Sequence, residues 1–334
     1  MEKITYSTAG VNIDREEQAI KGITRLLEKT FMFRKGRTGA VMQGIGSFAN
    51  LIDMGDYALG MCADGVGSKV LVAQELEIYD TVGIDLVAMN VNDLICLGAE
   101  PIAMVDYLAT EKINPETIKG IMHGIYEGAK QAEIAVVGGE LATLPDIIKG
   151  VDGLGFDLAG TAIGLVKKDE IITGEKITPG DMVLGFRSSG IHSNGLTLAR
   201  KVLSKSMWME LLTPTRIYVK PVLELINNFE VHGMVNITGG GFRNLLRVTD
   251  HGFILDKMPE KPIIFKNIQE QSKTSDAEMY KTFNMGIGFC VITSREDGER
   301  IKTEYGGKMG LREIGQVVDG GRVELRLKHE EIVL

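Results

Sequence analysis

Residues 81–101 read TVGIDLVAMNVNDLICLGAEP, and this stretch decides the fold. Asp80 opens a helix predicted over Thr81–Leu97, which Gly98 closes and Pro101 keeps from continuing. At 100° per residue Asp85 and Asn92, seven apart, fall about 20° from eclipsed and share a face, with Asp93 about 80° round from Asp85. The other positions are nearly all apolar, so the helix is expected to be buried on several sides. Carboxylates in such a helix need a cation or donors to meet them, and oxygen ligands in this setting suit a hard cation such as Mg²⁺ held with a nucleotide.

Working outward, "YALGMCADG" reads as a strand ending in a turn, "IAMVDYLAT" as a strand, and "PETIKGIMHGIYEGAKQA" as a helix with Pro115 near its start. "IAVVGGE" and "FDLAGTAIGLV" are further strands. On the N-terminal side, an extended segment leads to Asp14, which with Glu17 forms a capping box for "REEQAIKGITRLLEKT". The polar stretch "RKGRTGAVMQGIGSFAN" follows without a clear element. A charged segment with two turn signals, around Lys167–Gly180, is taken as a domain boundary. Alternation then resumes with strand "MVLGFRSS", helices "NGLTLARKVLSK" and "TRIYVKPVLELINNF", a triple-glycine loop opening a helix at "FRNLL", and late strands "FILDKM", "GIGFCVIT" and "LREIGQVV". The expected fold is α/β (α+β) in two domains, residues 1–168 and 169–334.

The chain has 334 residues, 44% hydrophobic and 25% charged, with a formal net charge of −8. That is the composition of a soluble globular protein. No apolar run reaches a membrane span, and the first residues lack the apolar core of a signal peptide, so a cytoplasmic location is expected. No basic block offers a nucleic-acid patch. Cys62, Cys96 and Cys290 are far apart in apolar surroundings and are read as free thiols.

Four further stretches carry chemistry. "ADGVGSK" ends a strand on Asp64 and offers Gly65, Gly67, Ser68 and Lys69, a point charge for a phosphate. "VGGE" adds Glu140 where another strand meets glycines. "SSGIHSNG" places His192, Ser193 and Asn194 before a helix whose N-terminus attracts an anion, and His192 could shuttle a proton near neutral pH. "ITGGGFRNLL" offers Thr238 and Gly239–Gly241. "GIGSFA" nearly matches a dinucleotide fingerprint, but "RKGRTGAVMQ" before it makes a poor buried strand, and no Walker-type loop occurs.

These blocks, with "AGVNID", "PTRIYVK" and "EMYKTFNMGIG", resemble the aminoimidazole ribonucleotide synthetase (phosphoribosylformylglycinamidine cyclo-ligase) family nearly end to end. The Asp-x₄-Gly-Ala-x-Pro signature, here Asp93, Gly98, Ala99 and Pro101, is shared with selenophosphate synthetase and thiamine-monophosphate kinase. The resemblance implies an N-terminal mixed β-sheet with helices that joins its counterpart across a homodimer, and a layered C-terminal α/β domain. It implies ATP-dependent closure of formylglycinamidine ribonucleotide, with Mg²⁺ on Asp64, Asp93 and Glu140. His192, Asp93 and Lys69 are then the catalytic candidates. Gly44, Gly46, Asp64, Gly65, Gly67, Ser68, Lys69 and Asn92 would hold ATP. Ser193, Asn194, Thr238, Gly239, Gly240 and Gly241 would hold the ribonucleotide, its 5-phosphate on the glycine turn. Asp85 is expected to be structural. Leu141 stands where the family commonly has Thr. The rival readings are a thiamine-monophosphate kinase and a non-catalytic nucleotide-binding paralogue.

Overall fold

A computed structural model describes residues 13–334; the capping box expected at Asp14 and Glu17 and the extended segment before it lie outside the described residues and side chains. The chain forms α1 (Ile13–Leu27), β1 (Asn50–Asp53), β2 (Tyr57–Gly65), α2 (Lys69–Leu76), α3 (Asp80–Ile95), β3 (Glu100–Thr110), α4 (Pro115–Ala132), β4 (Ala135–Thr143) and β5 (Phe156–Lys167). These five strands make one mixed sheet, ordered β1-β2-β5-β3-β4, in which only β3 and β4 run parallel.

The long helix expected over 81–97 is α3, with twelve of its residues buried. It lies on one face of the sheet, where Gly60 and Gly160 leave room for Leu94 and Leu86. Its other neighbour is α4, capped by the Asn114 side chain on the amides of Glu116 and Thr117. The two helices touch backbone to backbone: a Cβ on Gly124 would sit 1.8 Å from the Asp80 carbonyl oxygen. Among the described residues no helix covers the opposite sheet face, and Met61, Val105 and Tyr107 are exposed there.

The remainder forms β6 (Met182–Arg187), α5 (Leu196–Val202), α6 (Trp208–Leu211), α7 (Val219–Asn228), β7 (Val231–Asn236), β8 (Gly252–Leu255), α8 (Ile263–Ser272), α9 (Asp276–Thr282), β9 (Ile287–Thr293), α10 (Arg295–Met309), β10 (Leu311–Val318), β11 (Val323–Arg326) and β12 (Glu331–Val333). The second sheet runs β12-β11-β8-β10-β6-β9-β7. All seven residues of β9 are buried, as a central strand covered on both faces requires. Two expected helices differ. Thr215–Tyr218 are irregular, because Asp85 and Asn92 take the backbone amides of Thr215 and Tyr218. The "FRNLL" helix is a 3₁₀ segment, Gly241–Arg247. The three cysteines are free. Among the described residues no helix is long and apolar enough to cross a membrane.

Candidate active site

The polar face of α3 is where the two sheets' domains meet. Asp85 and Asn92 do share a face, and both reach into the second domain. Asp85 and Lys69 form an ion pair at 2.8 Å with no exposed side-chain surface on either. Asp85 Oδ1 also accepts from the Thr215 amide (2.7 Å), the Thr215 hydroxyl (2.6 Å) and the Ser193 hydroxyl (3.2 Å). Lys69 Nζ donates in addition to the carbonyls of Thr213 (2.7 Å) and His192 (3.3 Å). An ammonium has three protons, and these partners use all of them. Lys69 is therefore not the phosphate ligand the sequence suggested; its charge is held by Asp85 inside the seam.

Asn92 is corrected in the same way. Its Nδ2 donates to Arg216 O (2.8 Å) and its Oδ1 accepts from Tyr218 N (2.9 Å), so both ends of the amide hold the strand-like "PTRIY" segment. Ser68 Oγ lies 2.9 Å from Thr197 Oγ1, again across the seam. The Asp85 carboxylate is committed to Lys69, Ser193 and Thr215.

The acids that remain open to a ligand are Asp64 and Asp93, both part-exposed. Asp64 ends β2, and Asn90, buried in α3, holds its backbone at both the amide (3.2 Å) and the carbonyl (3.3 Å). The Gly65 amide donates to the Asp64 carboxylate at 2.7 Å. Asp93 accepts from Asn236 Nδ2 at 2.8 Å, a contact made by the end of β7. Burial pushes the Asp93 carboxyl up to about 7, with the Asp64 charge acting in the same direction and Asn236 and Arg247 opposing it. Burial also raises Asp64. Both carboxyls thus sit where burial opposes their charge.

Glu140 does not join them within this chain. Register pairs Gly65 with Ala159, Ala159 with Tyr107 and Tyr107 with Glu140, three strand spacings or about 14 Å. Asp64, one residue earlier than Gly65, points to the other side of the sheet. Among the described residues no three of His, Cys, Asp and Glu are grouped to hold a metal, so the expected triad is two acids here. A further acid, not singled out in the sequence, is Asp106, which register places on the Asp64 side of the sheet with Gly160 between them. The two also border a cavity of about 420 Å³, together with residues of the opposite face such as Gly65, Tyr107 and Thr161. Its signal was available: a lone carboxylate inside an otherwise apolar strand. A cleft of about 760 Å³ lies at the far end of β2, lined by Tyr57, Lys167, Phe229 and His232, away from these acids.

The second domain contributes two loops. His192 is buried at a left-handed φ of 61°, and its Nε2 accepts from the Ser189 amide at 3.3 Å. Burial, with Lys69 and Arg216 nearby, lowers its imidazole to about 3. It is thus neutral at physiological pH and is no proton carrier there; the loop position that suggested exposure is packed against Tyr218. With the folded value below the free value, stability from the neutral ring is complete above about pH 6.5 and is lost as pH falls toward 3. We expect the His192 ring signals in NMR to stay those of neutral imidazole from pH 8 to pH 5, and a midpoint near 6.5 would refute this.

Ser193 is committed to Asp85 and lies 3.2 Å from the Thr215 hydroxyl, while Asn194 Nδ2 is buried with no hydrogen-bond partner. Asn194 Oδ1 stands 3.2 Å from where a Gly239 Cβ would be, which brings the His192–Asn194 loop against the glycine turn. In the amide orientation that pairs donors with acceptors, Asn244 clasps that turn through Gly239 O (3.2 Å) and Thr238 N (3.1 Å). Gly241, at φ 56°, would drive a Cβ to 2.0 Å from Tyr280 O, so packing alone requires glycine there. Gly44 and Gly46 sit in an exposed turn that Arg247 reaches from the second domain.

The fold and site define a two-domain protein whose carboxylate pair, on the first domain, is met by asparagine- and glycine-bearing loops of the second. The chain matches the family of AIR synthase related proteins in both parts, the N-terminal domain over residues 46–166 and the C-terminal domain over residues 178–328. It is 52% identical to the phosphoribosylformylglycinamidine cyclo-ligase of Pyrococcus furiosus over 89% of this chain and 90% of that one. It is 49% identical to the cyclo-ligase of Thermococcus kodakarensis over 96% and 98%. The chain belongs to the phosphoribosylformylglycinamidine cyclo-ligase family. Its fold is also that of AaThiL complexed with AMPPCP and TMP (TM-score 0.66, 15% identity, 94% of this chain and 96% of that one). The hydrogenase maturation protein HypE in complex with ATP is similar as well (TM-score 0.63, 17%, 84% and 85%).

Proposed function

We propose that the protein converts formylglycinamidine ribonucleotide and ATP into aminoimidazole ribonucleotide, ADP and phosphate, as a step of purine biosynthesis in the cytoplasm. The observation that carries this reading is the match, at about half identity over nearly the whole chain, to proteins named for that cyclisation. The chemistry is an activation. The formamide oxygen attacks the γ-phosphorus as the bond to ADP breaks, the amidine nitrogen then forms the ring C–N bond, and phosphate departs with the former formamide oxygen while the nitrogen loses a proton. Such a reaction asks the protein for positioning and charge neutralisation.

Residues 1–168 form the ATP side and residues 169–334 the ribonucleotide side. Gly44, Gly46, Asp64, Gly65 and Gly67 border the triphosphate; Asn194 and Thr238–Gly241 border the ribonucleotide, the turn offering amides to its phosphate. Asp64 and Asp93 fit Mg²⁺: burial disfavours both charges, the Asp64 charge adds to this at Asp93, and oxygen ligands suit the ion. When bound, the ion neutralises phosphate charge. Asn236 holds the Asp93 carboxylate, and Asn90 holds the Asp64 backbone. Copies of the chain join through the uncovered sheet face that exposes Met61, Val105 and Tyr107, a contiguous apolar surface of the kind that marks association. Glu140 lies on that face and belongs to the interface rather than to the acid pair.

The likeness to AaThiL at 15% identity speaks for fold alone, so a thiamine-monophosphate kinase is the reading to exclude. Purified protein with Mg²⁺ and ATP should release ADP when formylglycinamidine ribonucleotide is added and not when thiamine monophosphate is. Release with thiamine monophosphate only would overturn the assignment.

A further inference from the structure

Arg247 closes the 3₁₀ segment Gly241–Arg247 that begins on the glycine turn. Its guanidinium leaves the second domain and holds the first. Nε and Nη2 donate to Gly46 O at 3.2 and 3.1 Å, and Nη2 donates to Ser47 O at 2.8 Å. The same group stacks on the Phe48 ring at 4.1 Å from its centroid, and Phe48 is buried. On its other side the turn is held within its own domain, where the Ile45 amide donates to Glu28 Oε1 at 3.1 Å. Asn50 Nδ2 also donates to Gly44 O at 3.5 Å, so the Gly44–Phe48 turn is anchored in both domains. The only link in this set that crosses to the glycine turn is a planar guanidinium, whose fork meets two carbonyls and a ring face at once. Gly241 and Arg247 are the two ends of this one seven-residue segment.

We propose that Arg247 is a positioning residue that couples the two ligand sites. A ribonucleotide ordering the Thr238–Gly241 turn fixes the segment carrying Arg247, and Arg247 fixes the Gly44–Phe48 turn against ATP. This rests on the placement of ATP and ribonucleotide given above. Coupling of this kind is reciprocal, so each ligand tightens the other, by about tenfold for an ordinary allosteric link.

The test measures binding of a non-hydrolysable ATP analogue with Mg²⁺ by calorimetry, with and without formylglycinamidine ribonucleotide, in wild type, Arg247→Gln and Arg247→Lys. Wild type should bind the analogue about tenfold more tightly when the ribonucleotide is present. Arg247→Gln should bring that ratio to about one while each ligand still binds alone. Arg247→Lys, a point charge without the fork, should keep part of it. Limited trypsin digestion at the exposed Lys35 and Arg37 gives a second readout: the two ligands together should slow cleavage in wild type and not in Arg247→Gln. A wild-type ratio of one, or an undiminished ratio in Arg247→Gln, overturns the coupling while leaving the activity in place. Failure of wild type to bind the analogue at all overturns the ATP placement and the coupling with it.

Discussion

Lys69→Met should lower the unfolding free energy by about 3–5 kcal/mol, the usual consequence of stranding one member of a buried ion pair. Neither Lys69 nor Asp85 has exposed side-chain surface, and removing the ammonium leaves a carboxylate facing only the amide and hydroxyl of Thr215 and the hydroxyl of Ser193. The carbonyls of Thr213 and His192 lose their donor in the same change. Asp85→Asn alone should also destabilise, because it leaves the cation without its counter-charge. The double variant Lys69→Met/Asp85→Asn removes both charges and keeps an acceptor for the Thr215 amide. It should recover part of the loss, with a coupling of at least about 1 kcal/mol in a double-mutant cycle. Denaturant unfolding monitored by circular dichroism decides the matter. A single-variant loss below about 1 kcal/mol would show that Lys69 is free for another task, a phosphate included. Because the other partners of both groups, His192, Ser193, Thr213 and Thr215, belong to the second domain, the same variants should expose the domain junction first.

Asp93→Asn should reduce turnover about 100-fold, the scale on which aligned charge at a phosphoryl site acts, and should leave the fold intact. Asparagine has the same shape, and its oxygen still accepts from Asn236, so the 2.8 Å contact survives. Its effect on stability has the opposite sign to the effect on activity. The folded value of the Asp93 carboxyl, about 7 against an ordinary 3.8, means that the folded state resists its ionisation. That penalty is absent below about pH 4, grows through pH 7, and is complete above it. The amide carries no such penalty, so Asp93→Asn should be more stable than wild type at pH 8, by about 1–2 kcal/mol. Full burial would give more at ~1.4 kcal/mol per pH unit, but the side chain is part-exposed and water screens it. At pH 4 the difference should vanish. Thermal unfolding at both pH values, beside an ADP-release assay, checks the pair of signs; unchanged turnover would remove Asp93 from the site.

Gain of stability with loss of activity is what a functional carboxylate pair predicts. Burial raises both the Asp64 and Asp93 carboxyls at a cost to the fold, and the proposed Mg²⁺ would offset that cost. The structural acid, Asp85, behaves in the reverse way: it has its cation built in. Two aspartates eight residues apart on one helix thus have opposite roles, set by what faces them.

That contrast divides what was legible in the sequence from what was not. The sequence by itself determined the helix on which Asp85, Asn92 and Asp93 ride, the shared face of the first two, the alternation of strands and helices in two domains, and the motifs that identify the family. Each of these rests on local rules: 3.6-residue periodicity, proline and glycine at element ends, and spacing along one element. Only the tertiary structure decided which polar groups have partners. Lys69 was read as open because its neighbours Gly65 and Gly67 suggest a phosphate loop, yet its partners Asp85 and Thr213 come from another helix and another domain. His192 was read as a neutral-pH proton carrier because it sits among polar loop residues, yet Tyr218 and the Ser189 amide close over it. Glu140 was grouped with Asp64 because both end strands at glycines, yet side-chain direction alternates with every residue and the register put them on opposite sheet faces. The partner of a polar side chain is set by long-range pairing and by register, and no local pattern in the sequence encodes either one.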